Sequence, residues 1–478
     1  MSEFIYRFRP VNRLLGDGIT AGELEDQYIF FASPEQLNDP LEGYRDVFFQ
    51  GDKIVWKNLI KHYARCLTWS TLSYDNNGND KLSENPIDVF CNARSATDEF
   101  NKLVEEICDQ LFSEPVIADY VSSLSTSRKA RRPELLSYIQ ILHFYFLDVV
   151  LEFLHKLELI SFRPIILNGN RPGTLILIKK TTDSIIANKD STEELGSHFQ
   201  KSQRNLSEKL LLARYLKSEQ VPKNWFFLIF EYPEVFCREI EKLMYPRWYT
   251  ACFMSSCSDS SIWGSYGGNH QDVCLKFRKE WIEDRPALSL TSPCGEDHNG
   301  IIWSPVKRPF HEVSYDKSFV EMDFFRSLGH LPHPVLMETW FVGDGKTLSD
   351  CAKEMFENEE KWRESYWENF YHSVTVKLKA WDREKESRLI LMSFLHDLDN
   401  SERRKLRYDF NSLEGVIFGI NTPMESKLKI IRNLQKLCEK HKRKEFSLYQ
   451  ARYNEHSRDI VYDKLETINI GYSEPSID

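Results

Sequence analysis

The sequence predicts an α+β fold, in which a mixed or antiparallel β core carries a large, mostly helical insertion. Residues 4–8 alternate between aromatic and other side chains, which is typical of a half-buried strand. The runs 249–254 and 273–277 have the composition of two further strands, with a Ser-rich turn between them. From 88 to 242 the apolar residues recur mostly at helical spacing, and the run 133–154 is apolar on nearly all sides, as in a buried helix.

These patterns divide the chain into three segments. Residues 1–88 are predicted to form the first part of the core, 89–244 the helical insertion and 245–478 the rest of the core. Hydrophobic residues make up 41% of the chain and charged residues 28%, which is ordinary for a soluble globular protein. The net charge of -10 argues against nucleic-acid binding over the whole surface, although a local basic groove stays open.

The ten cysteines are scattered and contain no Cys-x-x-Cys pair, so we predict that they are reduced, mostly buried and located in a cytoplasm. Cys252 and Cys257 flank a turn, but a zinc site there would need ligands from distant parts of the chain, and we predict no metal site. The first ten residues are charged and lack an apolar core, so we expect no secretory signal there. Charged residues interrupt the apolar run 139–154, so we expect no membrane span.

The first two predicted strands each bring polar residues with them. Arg7 lies on the face of the first strand opposite its aromatic residues, and such an arginine is most often solvated. The second strand, 28–33, ends at Ser33 in a polar turn. Asn38 and Asp39 in this turn can hydrogen-bond their own backbone, and a following proline sets its direction. A polar loop at the carboxyl end of a strand is a common place for a ligand.

Two features interrupt the helical segment. The run 174–179 has the composition of a strand, so a hairpin or a lone edge strand is predicted there. The basic cluster 128–132 precedes a predicted helix start. A solvated, flexible turn is the common interpretation of such a cluster, and a phosphate contact is the alternative.

The stretch between the strands 249–254 and 273–277 carries three side chains that can stack and hydrogen-bond. Trp263, Tyr266 and His270 are spaced three and four residues apart, so a helical turn would place them on one face. One interpretation is a ligand-binding face. The other is a core Trp–Tyr pair beside a histidine whose hydrogen bonds are satisfied within the protein.

The C-terminal part contains a cluster of charged residues before an apolar run. Residues 373–381 are predicted to form a strand that leads into Glu384, Glu386 and Arg388. In strand geometry these three side chains share one face. If the link is helical, Glu384 and Arg388 form a surface pair four residues apart. Four further elements are predicted: strands at 311–315 and 416–420, a helix over 424–441 and a closing strand at 446–451.

Several of these motifs occur together in the order found in one known family. They are Tyr6-Arg7-Phe8, the turn from Ser33 to Glu42, Cys252-Phe253 with Trp263, Tyr266 and His270, Trp381 with Glu384, Glu386 and Arg388, and Phe418-Gly419. In this the chain resembles the bacterial and archaeal family catalogued as domain of unknown function 2971. The resemblance covers about residues 1–50 and 245–450. The layout is in turn similar to ADP-ribosyltransferase-type domains, a likeness of fold alone.

This second resemblance implies an NAD-consuming transferase or hydrolase that acts as a toxin or antiviral defence effector. Glu386, with Glu384 beside it, would stabilise the oxocarbenium-like ribose and activate the nucleophile. The pyrophosphate would be held by Arg7. The remaining ligand contacts would come from Ser33, Asn38, Asp39, Trp263, Tyr266, His270 and Arg388.

Two other functions remain open from the sequence. One is a nucleotide-sensing or scaffold domain, which would bind with the same polar groups and perform no chemistry. The other is a metal-dependent nuclease in which Asp39, Glu42, Glu384 and Glu386 hold Mg²⁺. The acceptor of a transferase would be a nucleic acid, a protein or water, and the helical insertion would offer a surface for a protein partner.

Overall fold

The computed structural model describes residues 3–16, 21–77, 87–187, 223–298, 300–393, 398–468 and 470–472, with several single residues between 199 and 215. About 48% helix and 24% strand, in mixed parallel and antiparallel sheets, confirm the predicted α+β fold.

The described strands are, in chain order, β1 (Phe4–Arg9), β2 (Tyr28–Phe30), β3 (Asp46–Phe49), β4 (Ala130–Arg131), β5 (Trp248–Met254), β6 (Val273–Arg278), β7 (Glu280–Ile282), β8 (Arg285–Asp297), β9 (Gly300–Pro309), β10 (His311–Glu312), β11 (Glu321–Asp323), β12 (Glu386–Met392), β13 (Lys405–Tyr408), β14 (Leu413–Phe418), β15 (Ser447–Asn454) and β16 (Asp459–Lys464).

The described α-helices are α1 (Val11–Leu15), α2 (Lys53–Asn77), α3 (Asp98–Phe112), α4 (Pro115–Leu124), α5 (Arg132–Lys156), α6 (Arg171–Ala187), α7 (Lys223–Phe226), α8 (Tyr232–Glu239), α9 (Ser260–Ser265), α10 (His333–Val335), α11 (Lys353–Glu357), α12 (Glu359–Val374) and α13 (Met424–His441).

The chain forms two compact units. The first contains residues 1–44, 247–319 and 372–478, and the second contains 45–246 and 320–371. The second unit thus includes the predicted helical segment 89–244, together with flanking residues on both sides that the sequence analysis assigned to the core.

The first unit is built on an eight-stranded sheet with the order β10-β12-β5-β1-β6-β14-β15-β16. Its neighbouring strands are antiparallel except for β14 and β15, which run parallel. A second sheet has the order β2-β13-β8-β7, and β9 pairs with β8. Every second side chain of a strand points to the same face, so the two faces of the large sheet bury different residues.

One face of the large sheet carries Ile5, Phe253 and Leu389, and it is covered by α13 and by the second sheet. Helix α13 fits this position because Ile430, Leu434, Leu437 and Cys438 recur at helical spacing and are all buried. The other face carries Tyr6, Phe8 and Met254, and the segment around α9 packs against it.

The large sheet opens between β1 and β5. The only position at which these two strands are paired, among the described residues, is Tyr6 with Met254. Further along β5, Thr250 instead bridges to Ala32, which follows β2. Strand β1 stays fully paired with β6 on its other side, from Phe4 to Arg9. The sheet is therefore continuous at one end of β1 and split at the other.

The second unit is largely helical. It contains α2 to α8 and α10 to α12 together with a small sheet of the order β11-β3-β4. Helix α5 is its central element, with buried side chains on most of its circumference, as the sequence predicts. Within the described residues α5 is also the one helix long and apolar enough to cross a membrane, but 78% of its most apolar stretch is buried inside the protein.

Two secondary-structure predictions are wrong. Residues 174–179 lie inside α6 and not in a strand, because their apolar run continues at helical spacing into Ile185. Residues 373–381 end α12, continue in an extended segment and enter a 3-10 helix, Lys379–Glu384. The predicted strands at 4–8, 249–254 and 273–277 and the helix 424–441 are confirmed. All ten cysteines are described, and each is a free thiol.

Candidate functional site

A cavity of about 590 Å³ lies in the first unit where β1 and β5 separate. Five segments line it: β1 with α1, the loop after β2, the middle of β5, the end of α9, and the segment that leads into β12. The volume falls within the range of small-molecule sites. Of the residues predicted as a site, Arg7, Asn38, Tyr266, Glu384 and Glu386 line this cavity.

A lysine and three glutamates form a buried cluster at the wall of the cavity. The Lys377 Nζ lies 2.7 Å from Glu384 Oε2, 3.1 Å from Glu386 Oε2 and 3.1 Å from Glu42 Oε1. The side chains of Lys377 and the three glutamates are at most 4% exposed. Burial opposes the charge on Lys377, but the three carboxylates together raise its pKa above the ordinary lysine value.

Arg388 is the second cation of the cluster, and it is fully buried. Its Nε donates to Glu386 Oε1 at 2.8 Å and its Nη2 donates to Glu42 Oε1 at 2.9 Å. The remaining Nη1 donates to the carbonyl of Val374 at 2.7 Å. Arg388 and Glu386 can meet because they are two residues apart on β12, and so they share a face. We conclude that Arg388 holds Glu386 in place and is itself withdrawn from the cavity.

A hydrogen-bond chain leads from this cluster to the surface. The hydroxyl of Tyr266 donates to Glu384 Oε1 and accepts from the exposed Asn38 Nδ2 at 3.0 Å. Tyr266 reaches this position because it caps the end of α9, a helix whose start is capped by Asp259. Glu384 ends the 3-10 helix, and Lys385, with a positive φ of 42°, turns the chain into β12. Both glutamates thereby meet Lys377.

The two neighbouring glutamates differ in their electrostatics. Burial opposes the charge of Glu386, but Arg388 and Lys377 outweigh it and lower the pKa of Glu386 to about 2. Burial dominates at Glu384 and raises its pKa above the ordinary value, although Lys377 and Tyr266 oppose the shift. Pairs of carboxyl groups whose pKa values are pushed apart commonly divide the roles of fixed charge and proton carrier. Glu386 is therefore the stronger acid of the two, and Glu384 takes up a proton at a higher pH than Glu386 does.

The opposite side of the cavity is cationic. Arg7 is 7% exposed, its guanidinium lies over the ring of Phe253, and its Nη2 donates to the carbonyl of Phe30 at 3.1 Å. Its Nη1 is buried and has no hydrogen-bond partner among the described residues. Burial, together with the charge of Arg9, lowers the pKa of Arg7 to about 10. A buried donor without a partner carries a free-energy cost that an anionic ligand would remove.

The neighbours of Arg7 differ in how far they are neutralised. Arg9 forms an ion pair with Glu23, in which its Nε donates at 2.6 Å. Arg13 lines the cavity from α1 and is exposed. In the strand order, β5 separates β1, which carries Arg7, from β12, which carries Glu386. The cavity therefore has cations on one side and an excess of carboxylates on the other.

Cys252 also lines the cavity, beside Glu386 and Arg388. Burial and the charge of Glu386 raise the pKa of the Cys252 thiol well above its ordinary value. The thiolate is the nucleophilic form of cysteine, so Cys252 is not an activated nucleophile.

Besides Arg388, four predicted site residues do not line the cavity. Ser33 forms a capping box with Gln36 at the start of a 3-10 helix. Asp39 is 2% exposed, and its Oδ1 accepts from the backbone N–H of Leu41 at 3.0 Å. These two residues shape the loop that carries Asn38, because their polar groups bond the loop's own backbone.

Trp263 and His270 form the other such pair. Trp263 is fully buried, it packs edge-on against Phe8, and its Nε1 donates to the carbonyl of Cys257 at 2.7 Å. Its burial withdraws it from ligand stacking, which corrects the binding role predicted for it. The His270 ring stacks on Trp263, and its backbone N–H donates to the carbonyl of Trp263 at 3.2 Å. The core interpretation therefore holds for Trp263 alone, because Tyr266 lines the cavity and the buried Nδ1 of the half-buried His270 has no hydrogen-bond partner among the described residues.

Lys377 is the site residue that sequence reasoning missed. It lies in the extended segment after α12, within the run 373–381 for which the sequence predicts a strand. No motif or spacing in the run 373–381 distinguishes Lys377 from Lys379. Only the structure separates them, because Lys377 is buried and the side chain of Lys379 is 77% exposed. Glu42 was predicted only as a metal ligand, and it instead pairs with Lys377 and Arg388.

The described residues contain no group of three or more His, Cys, Asp and Glu side chains arranged to hold a metal ion. Three of the four carboxylates predicted for a Mg²⁺ site do converge, but the Lys377 ammonium lies between them. Asp39, the fourth, bonds its own loop. The three glutamates are thus arranged around the ammonium group of Lys377 and not around a metal ion.

Comparison of the chain with protein-family models, with curated proteins and with solved structures gave no match. The resemblance to the domain of unknown function 2971 family stays a prediction from the sequence motifs.

Proposed function

We propose that the cavity binds NAD and that its carboxylate side cleaves the bond between nicotinamide and ribose. The observation that carries this proposal is a single cavity bordered by the partly unpaired Arg7 guanidinium and by two glutamates of unlike pKa. NAD carries a pyrophosphate at its centre and a positive charge on its nicotinamide ring. A cavity with cations on one side and carboxylates on the other complements both groups.

Arg7 would bind the pyrophosphate, because its buried Nη1 lacks a partner within the protein. Arg13, exposed on α1, would add a second contact at the rim. Glu386, which stays ionised, would stabilise the positive charge that develops on the ribose as the carbon–nitrogen bond breaks. The electron pair of that bond leaves with nicotinamide, which departs as a neutral molecule.

Glu384 would take the proton of the attacking nucleophile as the new bond forms at the ribose carbon. A group whose pKa lies nearer to the working pH is the better general base, and this favours Glu384 over Glu386. Tyr266 and Asn38 lead from Glu384 toward solvent and would orient the carboxylate. Lys377 would act as a positioning residue, since it bonds both glutamates.

With water as nucleophile the protein would be an NAD hydrolase, and with a protein or nucleic-acid group it would be an ADP-ribosyltransferase. Depletion of NAD or modification of a host component is toxic to a cell, so a cytoplasmic toxin or antiviral defence effector is the role that we propose.

The experiment is a measurement of nicotinamide release from NAD by the native protein and by Glu384→Gln. We expect release by the native protein and a loss of about 10²-fold or more in the variant, the usual contribution of a general base. Asp382→Asn is the matched control, because Asp382 is exposed and lies two residues away. Equal release by native protein and Glu384→Gln would contradict the role of Glu384.

A nucleotide-binding role without chemistry is the second candidate, and one observation favours it. Both carboxylate oxygens of Glu386 already accept hydrogen bonds from Arg388 or Lys377. A binder would raise its melting temperature with NAD, because a ligand that binds the native state stabilises it, and would release no nicotinamide. If NAD neither raises the melting temperature of the native protein nor is cleaved by it, both the enzymatic and the binding function are excluded.

A further inference from the structure

Helix α13 of the first unit presents a row of basic side chains to solvent. Arg432, Lys436 and Lys440 are all exposed, and they follow one another at intervals of four residues. This spacing places them on one side of the helix, each about 6 Å from the next. Within the described part of the chain none of the three has an ion-pair partner. The neighbouring Lys429, by contrast, pairs with Glu425.

The helix itself gives no reason for this row. Like charges four residues apart destabilise a helix, by roughly 0.2–0.5 kcal/mol for each pair. The negative end of the helix dipole favours cations in the last turn, which accounts for Lys440. Arg432 and Lys436 lie further from the end at His441. Their charges are therefore unexplained by the stability of α13.

The row is also held in a fixed orientation. The opposite side of α13 is buried against the large sheet through Ile430, Leu434 and Leu437. Helix α1, whose Arg13 lines the cavity, packs against α13. The chain as a whole carries a net charge of -10, so this unpaired basic row contrasts with the charge of the molecule.

We propose that the row on α13 binds the phosphate backbone of a nucleic acid. Three unpaired cations span about 12 Å of a rigid helix, and a nucleic-acid strand offers regularly spaced phosphates over the same length. Contacts of this kind position a nucleic acid without reading its sequence. The proposal is independent of NAD, because no residue of the row belongs to the cavity.

The test measures the binding of a fluorescein-labelled 20-nucleotide DNA, single-stranded and duplex, and of an RNA of the same sequence by fluorescence anisotropy. The variant Arg432→Glu/Lys436→Glu/Lys440→Glu removes the row. The matched control is Lys317→Glu/Arg407→Glu/Lys464→Glu, which reverses one arginine and two lysines that are exposed elsewhere in the same unit. Both triple variants change the net charge equally, and melting temperatures check that both fold.

We expect the native protein and the control to bind at about 50 mM salt and the row variant to bind at least tenfold more weakly. For three phosphate contacts the logarithm of the association constant should fall with the logarithm of salt concentration with a slope of about -2 to -3. Equal losses in the two triple variants would overturn the proposal, since only net charge would then matter. Absence of nucleic-acid binding, or row-dependent sedimentation with phosphatidylserine vesicles alone, would overturn it as well.

Discussion

Each unit of the protein buries a cluster of arginine, glutamate and tyrosine, and the two clusters differ in origin. In the second unit Arg128 donates to Glu134 and to the hydroxyl of Tyr138 at 2.7 Å, all within eleven residues of sequence. In the first unit the cluster joins Lys377 and the nearby pair Glu386–Arg388 with Glu42 and Tyr266, which come from two distant segments. It also borders a cavity, and its carboxylates outnumber its cations.

A buried ion pair is therefore not by itself a sign of function. The Arg128 cluster pairs one cation with one carboxylate and fixes the start of α5, which is a structural role. Here the sequence-based expectation of a solvated, flexible turn is wrong, because Arg128 is only 9% exposed. The cluster in the first unit shifts the pKa values of two neighbouring glutamates in opposite directions beside a cavity, a combination that is common at catalytic sites.

The largest difference between the clusters is expected from removal of the arginine. Arg388→Met leaves Glu386 and Glu42 buried without their main partner, and we expect a loss of about 3–5 kcal/mol in the free energy of unfolding. Arg128→Met should lose less, because Tyr138 still donates to Glu134. Urea denaturation measures both. A larger loss of unfolding free energy in Arg128→Met than in Arg388→Met would contradict this expectation.

The acid stability of the protein should depend on Glu386. Its pKa is lower in the folded state than in the unfolded chain, so its contribution is complete above about pH 4.5 and is lost as the pH falls toward 2. The contribution is on the order of 3 kcal/mol. Glu386→Gln should therefore have a lower free energy of unfolding at neutral pH. This free energy should also fall less steeply in the variant as the pH is lowered below about 4.5. The sign is opposite for Glu384, whose raised pKa makes ionisation unfavourable as the pH rises. If the unfolding free energy of Glu386→Gln fell with acid as steeply as that of the native protein, the lowered pKa assigned to Glu386 would be contradicted.

Removal of Lys377 should move the pH dependence of the first cluster. Burial already raises the pKa of Glu384, and Lys377 opposes that shift, so Lys377→Met should raise it further. We expect the acidic limb of nicotinamide release to move to higher pH, because the general base would then be protonated over a wider pH range. Lys377→Arg should restore the native profile, and the exposed Lys379→Met serves as control. A profile that does not move would leave Lys377 a purely structural role.

The smallest effect is expected from the two tyrosine hydroxyls. Tyr266→Phe and Tyr138→Phe each remove a hydroxyl that donates to a buried glutamate, and each should cost about 1 kcal/mol of stability. Only Tyr266→Phe should also lower nicotinamide release. Equal nicotinamide release by the two variants would show that the hydrogen-bond chain from Asn38 through Tyr266 to Glu384 has no part in the reaction.

Sequence reasoning identified part of the cavity wall. Arg7, Asn38, Tyr266, Glu384 and Glu386 were predicted from strand ends, turn chemistry and motif order, and all five line the cavity. The division of roles between the glutamates was not predicted. It depends on burial and on the placement of Lys377, which no local pattern records.

The sequence-based predictions that are wrong have a common physical cause. Trp263 and Tyr266 are three residues apart on one short helix, yet one ring is buried in the core and the other faces the cavity. Spacing specifies that two side chains share a face of a helix, but the packing of that helix against the sheet decides which of them stays accessible. The same limit applies to the run 174–179, whose composition suits either a strand or a helix.

Local periodicity was enough to determine the class of fold, the alternating strands β1, β5 and β6, and the amphipathic helix α13, because each pattern repeats within a few residues. Only the tertiary structure decided that β1 and β5 separate to form a cavity and that Lys377 lies among Glu42, Glu384 and Glu386. The contacts of β1 with β5 and of Lys377 with Glu42 join residues hundreds of positions apart. Lys377, Glu384 and Glu386 are close in sequence, but their charges pair only after the chain has packed around them.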